Sequence, residues 1–232
     1  MITYHKMYGR LGNILFSIAT VFYYCKKHNI DYSNICFNAD SLSIHTHKYL
    51  DNILINVKKY FVDKDKWLEL TKNNIDGVYS KYKDIKHLNI SFTDWSWLDF
   101  SEEKFIAELF YNEKVFHDVI NNIPTHYLDY KDRIAVHVRR TDFKEFNKGS
   151  CLLSKDEILN TINNNDNKYF IFTDDIDWCK DNFKKDNCIV IDNYLTDWES
   201  MILMSYCKDI VYNRGSTYSY FSLIIKKYLS NS

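Results

Sequence analysis

Proline occurs once in 232 residues, glycine five times, and only five of the 30 cationic side chains are arginine. So little Gly and Pro excludes a collagen-like or linker-rich chain. No apolar window approaches the roughly 18 residues of a membrane span, and the opening MITYHKMYGRLGN has no signal-peptide core, so a soluble, cytoplasmic protein is expected. Net charge is −1 and the pI about 6.7, without the basic excess of a dedicated nucleic-acid binder. The six cysteines (Cys25, Cys36, Cys151, Cys179, Cys188, Cys207) form no C-x-x-C pair, which points to reduced core thiols rather than a zinc site or disulfide framework. His45 and His47 could share a strand face, but no third ligand lies nearby, so no metal site is expected.

What is abundant is apolar: 46% hydrophobic and 17% aromatic residues, enough for a sizeable core in one large domain or two small ones. Lysine, asparagine, isoleucine and tyrosine are plentiful, a bias that fits an AT-rich genome, a viral one included. Against that bias, the surviving arginines and glycines are the more informative positions. Four of the five arginines (Arg10, Arg139, Arg140, Arg214) sit beside glycines or each other, and Arg133 stands apart.

The last hundred residues alternate strand and helix four times. Strands are expected at 133–139, 168–173, 187–192 and 209–213. Helices follow each: one opened by a Ser154/Glu157 capping box and running to about Asn165, one over 175–183, one opened by a Thr196/Glu199 box, and one capped by Ser216 and running to about Leu229. That spacing predicts a parallel, doubly wound α/β sheet. The first half is less regular: strands at 2–7 and 34–37 flank a helix at 14–30 that is apolar on most sides, with further strands near 53–57 and 88–93. A helix from Glu102 to about Asn122, capped by Ser101, precedes Pro124. Domains at 1–124 and 125–232 follow. A cleft between two such halves would face the loops at their strand ends, where open α/β sheets bind ligands.

Four of those loops carry chemistry. His137-Val138-Arg139-Arg140-Thr141-Asp142 ends a buried strand, and a guanidinium recognises phosphate bidentately as lysine cannot. A surface ion pair with Asp142 or Glu145 is the plainer alternative. Gly9-Arg10-Leu11-Gly12-Asn13 lets backbone approach a ligand ahead of a helix N-terminus, or is simply a tight turn. In Phe172-Thr173-Asp174-Asp175, one Asp caps the next helix and the other could accept from a purine edge or ribose. Ser216 and Thr217, after Asn213-Arg214-Gly215, could bind phosphate or merely cap. The aromatic pairs Trp95/Trp97 and Trp67/Tyr60 are either core or a sugar-stacking surface.

These motifs resemble a family. G-R-L-G-N at 9–13 is similar to the G-G-L-G-N opening of the α-1,2-fucosyltransferases, and H-V-R-R-T-D at 137–142 matches the H-x-R-R-x-D motif of the wider fucosyltransferase superfamily. F-T-D-D-I-D-W-C-K at 172–180 resembles its F-S-D-D segment, and 198–220 resembles its C-terminal region. The resemblance implies a GT-B-like enzyme of two Rossmann-type halves facing a cleft. It would be an inverting, metal-independent transferase moving L-fucose from GDP-β-L-fucose to a carbohydrate acceptor as an α-fucoside, with no cofactor. It further implies that Arg140 and Arg139 hold the diphosphate. His137, Thr173 and one of Asp174 or Asp175 would meet the nucleoside, Ser216 and Thr217 the phosphates, with Gly12 and Asn13 lining the cleft from the other side. No motif marks the catalytic base; Asp142 and Glu145 are candidates for it or for ion-pair partners of the arginines. The sequence departs from the family pattern at Ile14, at Phe16-Ser17, at Arg214-Gly215 and in a short middle. A transferase using another GDP-sugar, and a non-catalytic nucleotide-sugar or glycan-binding module, are the competing expectations.

Overall fold

The computed structural model describes residues 2–4, 9–41, 47–72, 102–141, 155–163, 166–211 and 215–231. The chain divides into two compact units, Met1–Asn112 and Glu113–Ser232.

In the first unit, strand β1 (Ile2–Tyr4) leads through the Gly9-Arg10 turn to helix α1 (Leu11–Lys27), then to β2 (Ile35–Asn38), α2 (His47–Leu50), β3 (Phe61–Val62) and α3 (Lys64–Lys72). The strands form a parallel sheet in the order β1-β2-β3, with Ile2 opposite Ile35 and Phe37 opposite Phe61. Thirteen of the 17 residues of α1 are buried, as its apolar sequence predicts. Its buried hydroxyls turn back on the helix: Ser17 Oγ donates to the Asn13 carbonyl at 2.9 Å and Thr20 Oγ1 to that of Phe16 at 2.8 Å. The helix stops at Asn29, which takes a left-handed φ of 52° while Ile30 N–H returns to the Cys25 carbonyl at 2.8 Å, a Schellman closure. Trp67 is buried and Tyr60 meets Phe22 edge-on at 5.0 Å, so both serve the core. Trp95, Trp97 and His45 lie outside the described residues, as does the strand expected near 88–93.

Two expectations for this half are corrected. Residues 51–57 form successive turns rather than a strand, burying Ile53, Leu54 and Val57. The long helix from Glu102 is two helices, α4 (Glu103–Phe110) and α5 (Glu113–Asn121). Asn56 explains the break: its Nδ2 donates to the Tyr111 carbonyl at 2.6 Å and to that of Glu108 at 3.3 Å, while Asn112 Nδ2 donates to Asn56 Oδ1 at 3.1 Å. A side chain from a distant turn thus takes the orphan carbonyls of α4 and stops it. The units part at that break, twelve residues before the 124/125 boundary expected from the proline.

The second unit follows the expected alternation: β4 (Arg133–Val138), α6 (Lys155–Asn163), β5 (Lys168–Thr173), α7 (Ile176–Asn182), β6 (Cys188–Val190), α8 (Asp197–Tyr206), β7 (Asp209–Val211) and α9 (Thr217–Ser230). All pairings are parallel, in the order β6-β5-β4-β7. Alternate residues of β4 face opposite sides. Val136 and Val138 join Ile158, Ile162, Tyr169, Ile171, Cys179 and Phe183 in one apolar layer. His137 instead meets the Tyr218 ring of α9, with centroids 5.2 Å apart. The Thr196/Glu199 capping box that opens α8 is present, whereas Ser154 lies outside the described residues. Helix α8 packs against α9 and α5, which places α5 in this unit.

Burial raises the thiols of Cys25 and Cys179 to about 11 and that of Cys207 to about 12, so they remain protonated core groups, and the five described cysteines are all free. Among the described residues no helix is long and apolar enough to cross a membrane.

Candidate functional site

Strand order reverses at β4: the chain moves from β4 outward to β5 and β6, then returns to place β7 on the other side of β4. Such a switch point leaves a crevice outside the carboxyl ends of the two flanking strands. Residues 139–141 leave β4 at that crevice and Ser216 and Thr217 open α9 after β7, with Thr173 to Asp175 alongside at the end of β5. Of the expected donor residues, His137, Arg139, Arg140, Thr173, Asp174, Asp175, Ser216 and Thr217 therefore gather at one end of one sheet. Gly12 and Asn13 belong to the first unit. Asp142, Glu145 and Arg214 lie outside the described residues.

Asp174 is the hub of the site. One oxygen accepts the Arg140 backbone N–H at 2.8 Å, and the other takes the Thr141 hydroxyl and lies 3.4 Å from Arg139 Nε. Asp175 holds the Arg140 side chain, Oδ2 to Nε at 3.2 Å, and its own N–H donates to Thr173 Oγ1 at 3.0 Å. The two arginines thus lean on neighbouring carboxylates, Arg139 on Asp174 and Arg140 on Asp175. Arg140 turns to α7, where its guanidinium carbon lies 3.5 Å from the centre of the Trp178 ring. The expectation that one Asp caps α7 is corrected, because the Asp175 side chain makes no cap bond and is drawn to the arginine instead.

Ser216 occupies the N-cap position of α9, yet its side chain makes no cap bond, a second correction. The residue is 6% exposed. His137 is 4% exposed, and its Nδ1 is buried without a hydrogen bond. Burial, aided by the nearby Arg139 charge and opposed by Asp174, lowers its pKa from 6.5 to about 3, so the imidazole is neutral. A buried polar atom left unmatched is costly unless a ligand or water completes it. The His137 Nδ1 atom sits near the carboxyl end of β4, at the switch point.

Beyond β5 and β6 the site continues as an open cleft of about 680 Å³, lined by Asp174, Asp175, Lys180, Asp192 and Tyr194 among others. The last two were not singled out in the sequence, although Asp192 follows a strand much as Asp174 does. In the first unit, Gly9 has a φ of +93°, and a Cβ there would come 2.4 Å from Asn13 Nδ2. Glycine is thus required for the turn that seats Asn13, while Gly12 is buried in the first turn of α1.

A parallel sheet with a switch point, crowned by guanidinium groups and a helix N-terminus, defines a Rossmann-like α/β protein whose ligand end is the strand carboxyl edge. A model of glycosyl transferase family 11 matches residues 4–229. The chain belongs to that family, the α-1,2-fucosyltransferase family, and membership implies a nucleotide-sugar donor, a glycan acceptor and fucosyl transfer. No curated protein and no solved structure matches the chain.

Proposed function

We propose that the protein transfers L-fucose from GDP-β-L-fucose to a glycan hydroxyl, inverting the anomeric centre to give an α-1,2-linked fucoside, without a metal ion. The observation that carries this reading is the guanidinium pair Arg139 and Arg140 at the switch point. As the glycosidic bond breaks, negative charge grows on the departing diphosphate, and cationic groups already fixed there stabilise it without reorganising. Asp174 already carries the Arg140 and Thr141 amides, the Thr141 hydroxyl and Arg139. It serves as the frame of the loop, and Asp175 beside it is the carboxylate assigned to the nucleoside.

His137, neutral with an unmatched Nδ1, supplies a hydrogen bond to guanine or ribose whose strength does not vary around neutral pH. Ser216 and Thr217 add hydroxyl and N-terminal amide donors for a phosphate. Gly12 and Asn13, at the start of α1, are further donor residues implied by the family resemblance. Asp142 or Glu145 accepts the proton of the attacking acceptor hydroxyl. Incubation of GDP-fucose and the protein with a glycan array, followed by linkage analysis, tests the proposal. An α-1,2-fucosylated product formed in the presence of a chelator is expected. Transfer from GDP-mannose alone would move the reading to another GDP-sugar, and failure to transfer any sugar with GDP still bound would favour a binding module.

A further inference from the structure

Among the described residues two groups hold the Arg140 side chain, and only one of them is charged. Asp175 engages Nε at 3.2 Å, and the indole of Trp178 lies 3.5 Å from the guanidinium carbon. The tryptophan is itself anchored. Its ring meets Phe183 at 5.7 Å and 79°, its carbonyl accepts from Asn182 Nδ2 at 2.7 Å, and it packs on the apolar layer containing Val136 and Ile171. Because the carboxylate is bound at Nε, the two terminal Nη groups of Arg140 have no protein partner among the described residues.

We propose that Trp178 is a positioning residue for the donor diphosphate, its indole face fixing the plane of Arg140 so that both Nη groups are presented together. The proposal rests on the reading of Arg140 as a diphosphate ligand. Two physical points support it. A guanidinium already resting on a ring has less rotamer freedom left to lose when phosphate binds. An indole also holds the cation through its quadrupole without adding negative charge, whereas a second carboxylate would repel the diphosphate that Arg140 is to meet.

The test is a double-mutant cycle on the full chain, with GDP affinity read by calorimetry well below each variant's melting temperature. Trp178→Leu is expected to weaken GDP roughly tenfold, and Trp178→Phe, which keeps an aromatic face, by no more than about threefold. In an Arg140→Ala background Trp178→Leu should change nothing further. A tryptophan with a merely packing role would lower the melting temperature and leave the affinity of the folded protein alone. GDP affinity in Trp178→Leu equal to wild type, or the same loss with Arg140 already removed, overturns the proposal. Failure of the wild-type protein to bind GDP, or of Arg140→Ala to weaken it, would instead strike at the donor reading. Should Trp178→Leu not fold, the Arg140 Nε–Hε resonance of the wild-type protein decides: stacking on indole shifts it upfield, and an unshifted resonance contradicts the stack.

Discussion

Two arginine environments at opposite ends of β4 show how one residue type serves two purposes. At the amino end, the Arg133 side chain is 8% exposed, pairs with Asp129 at 2.7 Å, reaches the carbonyls of Tyr169 and Asn187 at 3.3 and 3.4 Å, and lies over Phe170 at 4.9 Å. Its hydrogen bond holds the Asp129 carboxyl below the usual range. At the carboxyl end, the Arg139 and Arg140 side chains are 14% and 24% exposed, their ion pairs are longer at 3.4 and 3.2 Å, and Arg140 meets its carboxylate through Nε. An arginine surrounded by carbonyls stabilises the fold. Arg140, tethered at Nε and with no partner for its outer nitrogens among the described residues, is the arginine that the proposed reading gives to the donor. On that reading the stretch 133–140 carries a structural arginine at one end and the donor arginines at the other.

Substitutions at the two ends should break that comparison in opposite ways. Arg140→Ala should lower fucosyl transfer roughly 100- to 1,000-fold, measured as product formed from GDP-fucose, while the melting temperature barely moves. Arg133→Met should reverse the pattern. Its loss removes a buried guanidinium together with its bonds to Asp129 and to the carbonyls of Tyr169 and Asn187 and costs about 3 kcal/mol in urea denaturation, with GDP affinity of the folded protein unchanged.

His137 sharpens the contrast through pH. Its folded pKa of about 3 lies below the ordinary 6.5, so between those values only the unfolded chain takes the proton. The stability it contributes is therefore complete above about pH 6.5 and is lost as pH falls toward 3. From pH 7 to 5 the unfolding free energy of the wild-type protein should drop by about 2 kcal/mol more than that of His137→Gln. Smallest is Thr196→Ala, which removes the capping box of α8 on the stabilising side of the comparison and should cost about 1 kcal/mol by the same denaturation measurement.

The C-terminal unit was legible because local signals there agree with tertiary structure. Strands such as 168–173 are apolar and β-branched or aromatic, turns separate them at βαβ spacing, and the Thr196/Glu199 box marks a helix start that the structure retains. The N-terminal unit was less legible where a distant side chain decides the local outcome. Nothing around Tyr111 foretells a helix break, because Asn56 imposes it. Residues 53–57 look like a strand by composition, yet Ile53, Leu54 and Val57 bury themselves from turns.

At the site, the sequence located the strand-end loops but not their internal pairing. One of Asp174 and Asp175 read as a helix cap, and only the fold shows Arg140 close enough to draw the Asp175 carboxylate away. Trp178 lay within a recognised motif with no role attached, since stacking on Arg140 depends on α7 folding back beside the end of β4. The isolation of Arg133 in the sequence was itself a signal that it differs from the other four arginines.

The most direct test of the account is the dissociation constant for GDP, measured by calorimetry on the wild-type protein and on Arg140→Ala, with UDP as the control nucleotide. Saturable GDP binding by the wild-type protein, weak UDP binding, and at least a roughly tenfold loss of GDP affinity in a folded Arg140→Ala are predicted. Equal GDP affinity in the two proteins would contradict the assignment of the β4 carboxyl end as the donor site.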